Sequence, residues 1–287
     1  MDLALQLLAN GLANGSSYAL LGIAWGLIFN VTGLAHFAFG PLYALGAYLI
    51  WASVTVCHLP LWIALPFGIT ATAVLGALCY LTMYRAFERR RSSPVAVMVA
   101  SLGLFMVLEN GIAMVFGTDV KVLPNVNMPI FVLGPVVLTA IQILQVACLT
   151  VVSLLLVAFL TRTQYGGAIV AMTDNPQMAR IVGVNTERVS VVVFLLGTAI
   201  SGICAGLMLL RDGALPHMGF GAVFTAFVAV FVGGVGSLRG AALAGLLLGV
   251  IENLGIIGLA TEWQSSISFA VLLAILLVKP QGLFGRR

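Results

Sequence analysis

The sequence predicts an all-α, polytopic membrane protein with about eight or nine transmembrane helices, an inverted internal repeat and broken or re-entrant segments. Three observations lead there. The 287 residues are 61% hydrophobic and only 8% charged, against roughly 25% charged in an ordinary soluble domain. Apolar runs of spanning length follow one another almost without interruption. The few basic residues gather in short connecting stretches. So much apolar surface finds its solvent only in lipid, and the chain reads as one transmembrane domain over residues 1–287.

A spanning helix needs about 20 mostly apolar residues. Runs that meet this cover 3–28, 36–56, 61–84, 94–117, 136–160, 190–210, 221–238, 240–260 and 264–279. Segments 29–50 and 213–238 are rich in Gly and Pro, so one or both are expected to be interrupted or re-entrant. Such backbone is tolerated at membrane depth only where protein or water covers it. Asp2, and no cation, precedes the first apolar run, so a cleavable signal peptide is not expected. Cys57, Cys79, Cys148 and Cys204 stand singly in apolar stretches. They read as small core residues rather than a disulfide framework or a metal site, and no bound cofactor is expected.

The charges select an orientation. Arg85, Arg89, Arg90 and Arg91 follow the third run; Arg162, Arg180 and Arg188 follow the fifth; Arg239 sits in a short turn; Lys279, Arg286 and Arg287 end the chain. Placing these in the cytoplasm satisfies the positive-inside rule. It leaves outside only Lys121 and Arg211, each near an acid, Asp119 and Asp212. The C-terminus is then cytoplasmic, and three runs before Arg85 put the N-terminus outside.

An internal echo supports a transporter architecture. Leu34, His36, Phe39 and Gly40 match Leu215, His217, Phe220 and Gly221 at one fixed offset, pairing two of the chain's three histidines. Under the assigned orientation the two copies start from opposite sides and are inverted. Inverted repeats around interrupted helices place a pathway at the repeat interface. The alternative is chance similarity in a sequence rich in Gly and Ala. Two carboxylates, Glu109 and Glu252, lie inside apolar runs. A charged group there faces the bundle interior or water, so each either lines a pathway or hydrogen-bonds a neighbouring helix.

The longest polar stretch, 161–190, holds Asp174-Asn175-Pro176-Gln177-Met178-Ala179-Arg180 and then Gly183. Asp174 or Asn175 can cap a helix that starts at Pro176, and Gly183 can stop it. A short capped helix here suits docking of a soluble partner; the alternative is an ordinary connecting loop.

At this stretch the chain resembles the LivH-type permease subunits of branched-chain amino-acid ABC transporters. Thr161–Arg188 is similar to their coupling segment. Further similar stretches follow in the family's order: Asn14-Gly15 with Tyr18-Ala19-Leu20, Gly33–Tyr48, Ser101–Leu104 with Glu109-Asn110, Gly233–Ala241, Gly245–Gly249 with Glu252, and Lys279–Gly285. Two stretches depart. The family commonly has Asn-Phe-Ala-His/Gln-Gly where this chain has His36-Phe37-Ala38-Phe39-Gly40, and extra arginines where it has Gly167 and Val170.

The resemblance implies a permease of the bacterial inner membrane, not an enzyme, importing amino acids or similar small polar solutes. ATP is used by partner subunits; the chain has no Gly-x-x-x-x-Gly-Lys-Ser/Thr motif. The implied partners are a second, related permease, two cytoplasmic ATPases and an extracytoplasmic solute-binding protein docking near 118–135 and 211–219. Membrane lipid, not nucleic acid, is the expected surrounding. Asp174, Asn175, Pro176, Met178, Ala179, Arg180 and Gly183 would form the ATPase-coupling element. His36, Phe39, Gly40, His217, Phe220 and Gly221 are the pathway candidates. The repeats would cover about 1–117 and 190–287, flanking the coupling loop. A stand-alone secondary transporter is the alternative; it would need paired ion-coupling carboxylates where only isolated Glu109 and Glu252 occur.

Overall fold

The computed structural model describes residues 2–124, 129–257 and 263–285. Arg286, Arg287 and the expected helical residues 258–260 lie outside the described residues, as do 125–128 of the expected docking loop. Twelve α-helices are described: α1 (Asp2–Thr32), α2 (Phe39–Thr55), α3 (Leu61–Cys79), α4 (Arg85–Arg89), α5 (Pro94–Phe116), α6 (Ala140–Arg162), α7 (Gln164–Asp174), α8 (Pro176–Ile181), α9 (Thr186–Asp212), α10 (Met218–Gly233), α11 (Leu238–Gly255) and α12 (Gln264–Val278). A π-helical turn, Tyr80–Tyr84, joins α3 to α4. Among the described residues, six helices are long and apolar enough to cross a membrane, and three shorter apolar helices accompany them.

Several expected boundaries move. The first run continues to Thr32, the second helix starts only at Phe39, and the helix expected over 221–238 is Met218–Gly233. The helix expected from 136 starts at Ala140, because Val136–Thr139 (β2) pairs with Ile130–Leu133 (β1) as an antiparallel hairpin. Its tight turn needs a positive dihedral, supplied by Gly134 (φ 61°). The β-branched residues on either side suit an extended chain. The loop 161–190 also contains α7, capped by Thr163, whose hydroxyl accepts from the Gly166 amide (3.0 Å).

The chain forms two compact units built from interleaved stretches. One contains 27–124 and 155–223. In it α2, α3 and α9 pack against one another. Small residues permit their close approach; a side chain at Gly46 would sit 2.6 Å from the Thr72 hydroxyl. Tyr48, Tyr80, Tyr84, Phe39 and Phe194 fill the space between them and are fully buried.

The other unit contains 1–26, 125–154 and 224–287. Here α1 crosses α11, with Gly11 over the Val250 backbone and Gly15 over Leu246. Val228, Ala229, Val232, Ala244, Leu248 and Leu272 form its apolar centre. The turn between α10 and α11 requires positive dihedrals at Gly234 (φ 102°) and Gly236 (φ 90°). The C-terminal stretch fastens onto it: the Leu283 amide donates to Val232 O (2.8 Å) and the Phe284 amide to Gly233 O (3.0 Å). Two glycine-rich motifs far apart in sequence thus form one knot.

Candidate functional site

Two breaks in the helical run organise the larger unit. After α1, residues 33–38 run without regular helix before α2 begins at Phe39. Ala38 has no side-chain cap of its own. Its amide (3.3 Å) and that of Phe37 (2.7 Å) donate instead to Ser101 Oγ on α5. After α9, Gly213 (φ 84°) turns the chain. Ala214 exchanges both backbone hydrogen bonds with Lys121 (2.8 and 2.9 Å), and α10 begins at Met218. The two helix starts meet beside the middle of α5. A Cβ on Gly40 would lie 2.5 Å from Gly219 O, and one on Gly219 would collide with the Gly40 backbone. Both positions require a bare Cα for backbone to touch backbone.

Ser101, Phe105 and Glu109 recur every four residues and so share one side of α5. Phe105 lies edge-on to Phe220. Glu109 Oε1 is 2.7 Å from His217 Nδ1. The pair is open on one side: the His217 side chain is 67% exposed, that of Glu109 only 14%. Phe220, Gly221, Met106 and Asn110 are exposed beside it. His36, the sequence partner of His217, is instead fully buried. Its Nδ1 is hydrogen-bonded to the Tyr84 hydroxyl (2.7 Å), which is hydrogen-bonded to Ser101 Oγ (2.7 Å). Phe39 and Gly40 are buried with it.

Glu252 belongs to the other unit. It accepts from the Tyr18 hydroxyl (2.8 Å) and from the Ser268 hydroxyl, and is 5% exposed. Two donors on one carboxylate are the arrangement that makes such a group tolerable between helices.

The polar segment is ordered by its caps. Asn175, rather than Asp174, caps α8: its Oδ1 accepts from the Gln177 (3.1 Å) and Met178 (3.0 Å) amides, with Pro176 at the first position. Gly183 (φ 90°) closes α8, and the Val184 amide returns to Ala179 O (3.0 Å). Ala179 faces inward, whereas Met178, Arg180, Ile181 and Val182 are exposed. The next helix starts beside Arg85 and Arg89, which both bridge to Glu187 (2.6 and 3.2 Å). Arg211, paired with Asp212 (2.7 Å), lies at the opposite end of the 27-residue α9. The two sets of charges are therefore about 40 Å apart along the helix, the separation expected of the two faces of a membrane.

The family model described as branched-chain amino acid transport system / permease component matches residues 7–276. The chain belongs to this family. It is a multi-pass transport permease of the ABC type, not an enzyme. Its sequence is 30% identical to the high-affinity branched-chain amino acid transport system permease protein BraD of Pseudomonas aeruginosa, over 98% of this chain and 96% of that one. The identity and coverage are the same for LivH of Escherichia coli K12. The xylose transport system permease XylH of that bacterium is 31% identical over 39% of this chain. Among solved structures, PsaBC from Streptococcus pneumoniae in complex with Fab superposes with a TM-score of 0.54 at 12% identity, covering 96% of this chain and 92% of that one. It shares the fold. The family motifs quoted above thus lie on particular structural parts: Ser101 and Glu109 on one side of α5, and the stretch 161–188 across α7 and α8.

The sequence does not single out Tyr80, Tyr84 or the Arg85–Glu187 bridge. Tyrosines four apart within an apolar span are a weak signal. The bridge joins residues about a hundred positions apart and leaves no local pattern.

Proposed function

We propose that this permease imports branched-chain amino acids, or similar small zwitterions, across a bacterial inner membrane. It works as one half of a gate with a second, related permease, two cytoplasmic ATPases and an extracytoplasmic binding protein. The C-terminus and α7–α8 face the cytoplasm. The observation that carries the reading is the family match over residues 7–276. The chain holds no nucleotide itself; ATP acts on the partners.

The pathway runs past the Glu109–His217 pair on its exposed His217 side, next to Phe220 and Gly221. A charged side chain turned toward lipid at mid-helix costs about 2.5–3.5 kcal/mol, so Glu109, largely enclosed, and its exposed partner His217 are better placed against water, cargo or the second permease. The helix starts at Phe39 and Met218 carry the two matched motifs and meet at Gly40 and Gly219, although the sequence match of Gly40 is Gly221, where an added carbon would meet nothing. His36, Phe39 and Gly40 hold that contact from the buried side. Met178, Ile181 and Val182 are apolar and exposed on a polar segment, which supports α8 as the docking surface for an ATPase.

The test is reconstitution in proteoliposomes. Vesicles with all partners accumulate leucine on ATP addition; vesicles with this chain alone do not. Accumulation by the isolated chain against a gradient would instead establish a secondary transporter. In the complete assembly, His217→Leu lowers uptake about tenfold while the subunits still co-purify, since it strands Glu109 in a low-dielectric setting. Uptake by His217→Leu equal to that of the unaltered protein would remove this face from the pathway.

A further inference from the structure

We infer that Tyr84 is the positioning residue that carries motion from the ATPase side of the molecule to the start of α2. This rests on the reading of α8 as the docking element.

The connection is continuous within one unit. Glu187, in the first turn of α9, holds Arg85 and Arg89 of α4. The preceding turn is π-helical, a geometry frequent at functional sites. Its two tyrosines face inward and both pack on Phe194 of α9, with ring centroids 5.1 and 5.4 Å away. The His36 ring lies on the same phenylalanine at 5.0 Å. Tyr80 donates to Glu88 (2.7 Å), binding the turn to α4. Tyr84 reaches the other way, to His36 and Ser101 at 2.7 Å each.

Donor and acceptor capacity gives this chain a direction. Ser101 Oγ accepts from two amides, Phe37 and Ala38. A serine hydroxyl has two lone pairs and one proton. Both lone pairs are taken, so the proton goes to the Tyr84 oxygen. Tyr84 then donates to His36 Nδ1, which fixes the neutral imidazole with its proton on Nε2. The π turn contributes two of these bonds, those of Tyr84 to Ser101 and to His36, and a shift of the turn breaks both. Residues 37 and 38 form the start of the helix that touches α10 at Gly40 and Gly219. A displacement at Glu187 thus reaches the helix contact through two hydrogen bonds and a shared ring stack, without bending α2 itself.

The role separates from mere packing by its readout. Tyr84→Phe keeps the ring against Phe194 and deletes only the hydroxyl. In the fully reconstituted transporter we expect leucine uptake to fall about tenfold while ATP hydrolysis stays near its normal rate, so that more ATP is consumed per solute. Ser101→Ala gives the same uncoupling, and the double variant is no worse than either alone, because both cut one chain. Ser101→Thr, which keeps the hydroxyl, restores coupling. Unchanged solute-to-ATP ratios in both Tyr84→Phe and Ser101→Ala would overturn the proposal. Equal loss of uptake and hydrolysis would also overturn it, by showing a structural role. If Ile181→Asp leaves ATPase association intact, the docking reading fails separately from this one.

Discussion

Gly219→Val abolishes measurable solute uptake, a loss of at least about a hundredfold, while the subunit still inserts into the membrane. The first carbon of the new side chain falls on the carbonyl group of Gly40 and 2.9 Å from the nitrogen of Pro41. These are backbone atoms, fixed at the start of a buried helix, so no rotamer change relieves the overlap. One helix start must move by about an ångström, and overpacking of this kind costs roughly 1–3 kcal/mol even where side chains absorb it. The displaced elements carry His217 toward Glu109 and residues 37–38 toward Ser101, so the Glu109–His217 pair and the buried hydrogen-bond chain are lost together. Gly40→Val behaves alike, because it strikes Gly219 O and Phe105. Gly103→Ala on α5 is the control: nothing lies within 4 Å of its added carbon, and alanine favours the helix. Uptake assays on the three variants, with thermal stability measured alongside, check the prediction. Normal transport by Gly219→Val would mean that the two helix starts are not in contact in the working protein.

Ala179→Asp lowers co-purification of the ATPase subunits at least about tenfold. Ala179 is 3% exposed and is the inward-facing residue of a six-residue helix. A carboxylate placed there must reach water, and the helix turns with it. Its cap at Asn175 and stop at Gly183 then no longer present Met178, Ile181 and Val182 together. Ile181→Asp tests the same surface without disturbing the fold, since Ile181 is 76% exposed. It gives a comparable loss if that apolar face is the contact, because a few buried apolar anchors dominate most interfaces. Pull-down with tagged ATPase reads both variants. Retained association in both would place the docking contact elsewhere.

Much of the short helix Pro176–Ile181 was legible in the sequence. Asn-Pro followed seven residues later by Gly predicts a capped, stopped helix from residue types alone, because capping is decided within a few bonds of the chain. The structure chose Asn175 over Asp174, a choice between neighbours that depends on local dihedrals. The pathway candidates divided differently. The repeat pointed equally to His36 and His217, yet one is enclosed and the other open. Their surroundings come from Tyr84 and Ser101, 48 and 65 positions from His36, and from Glu109, 108 positions from His217. No period or local motif carries such contacts. The hairpin at 130–139 was missed for another reason: its apolar β-branched residues continue smoothly into the span that starts at Ala140.

The sequence by itself determined the solvent, the class of the fold, the family and the short capped helix that starts at Pro176. Each of these depends on composition, on apolar runs or on glycine and proline acting over a few neighbouring residues. The tertiary structure alone decided that Gly40 meets Gly219, that Glu109 pairs with an exposed His217, and that Tyr84 holds His36 and Ser101. Those pairings depend on how long helices cross, where a shift of one residue turns a side chain by about 100° and changes its partner altogether.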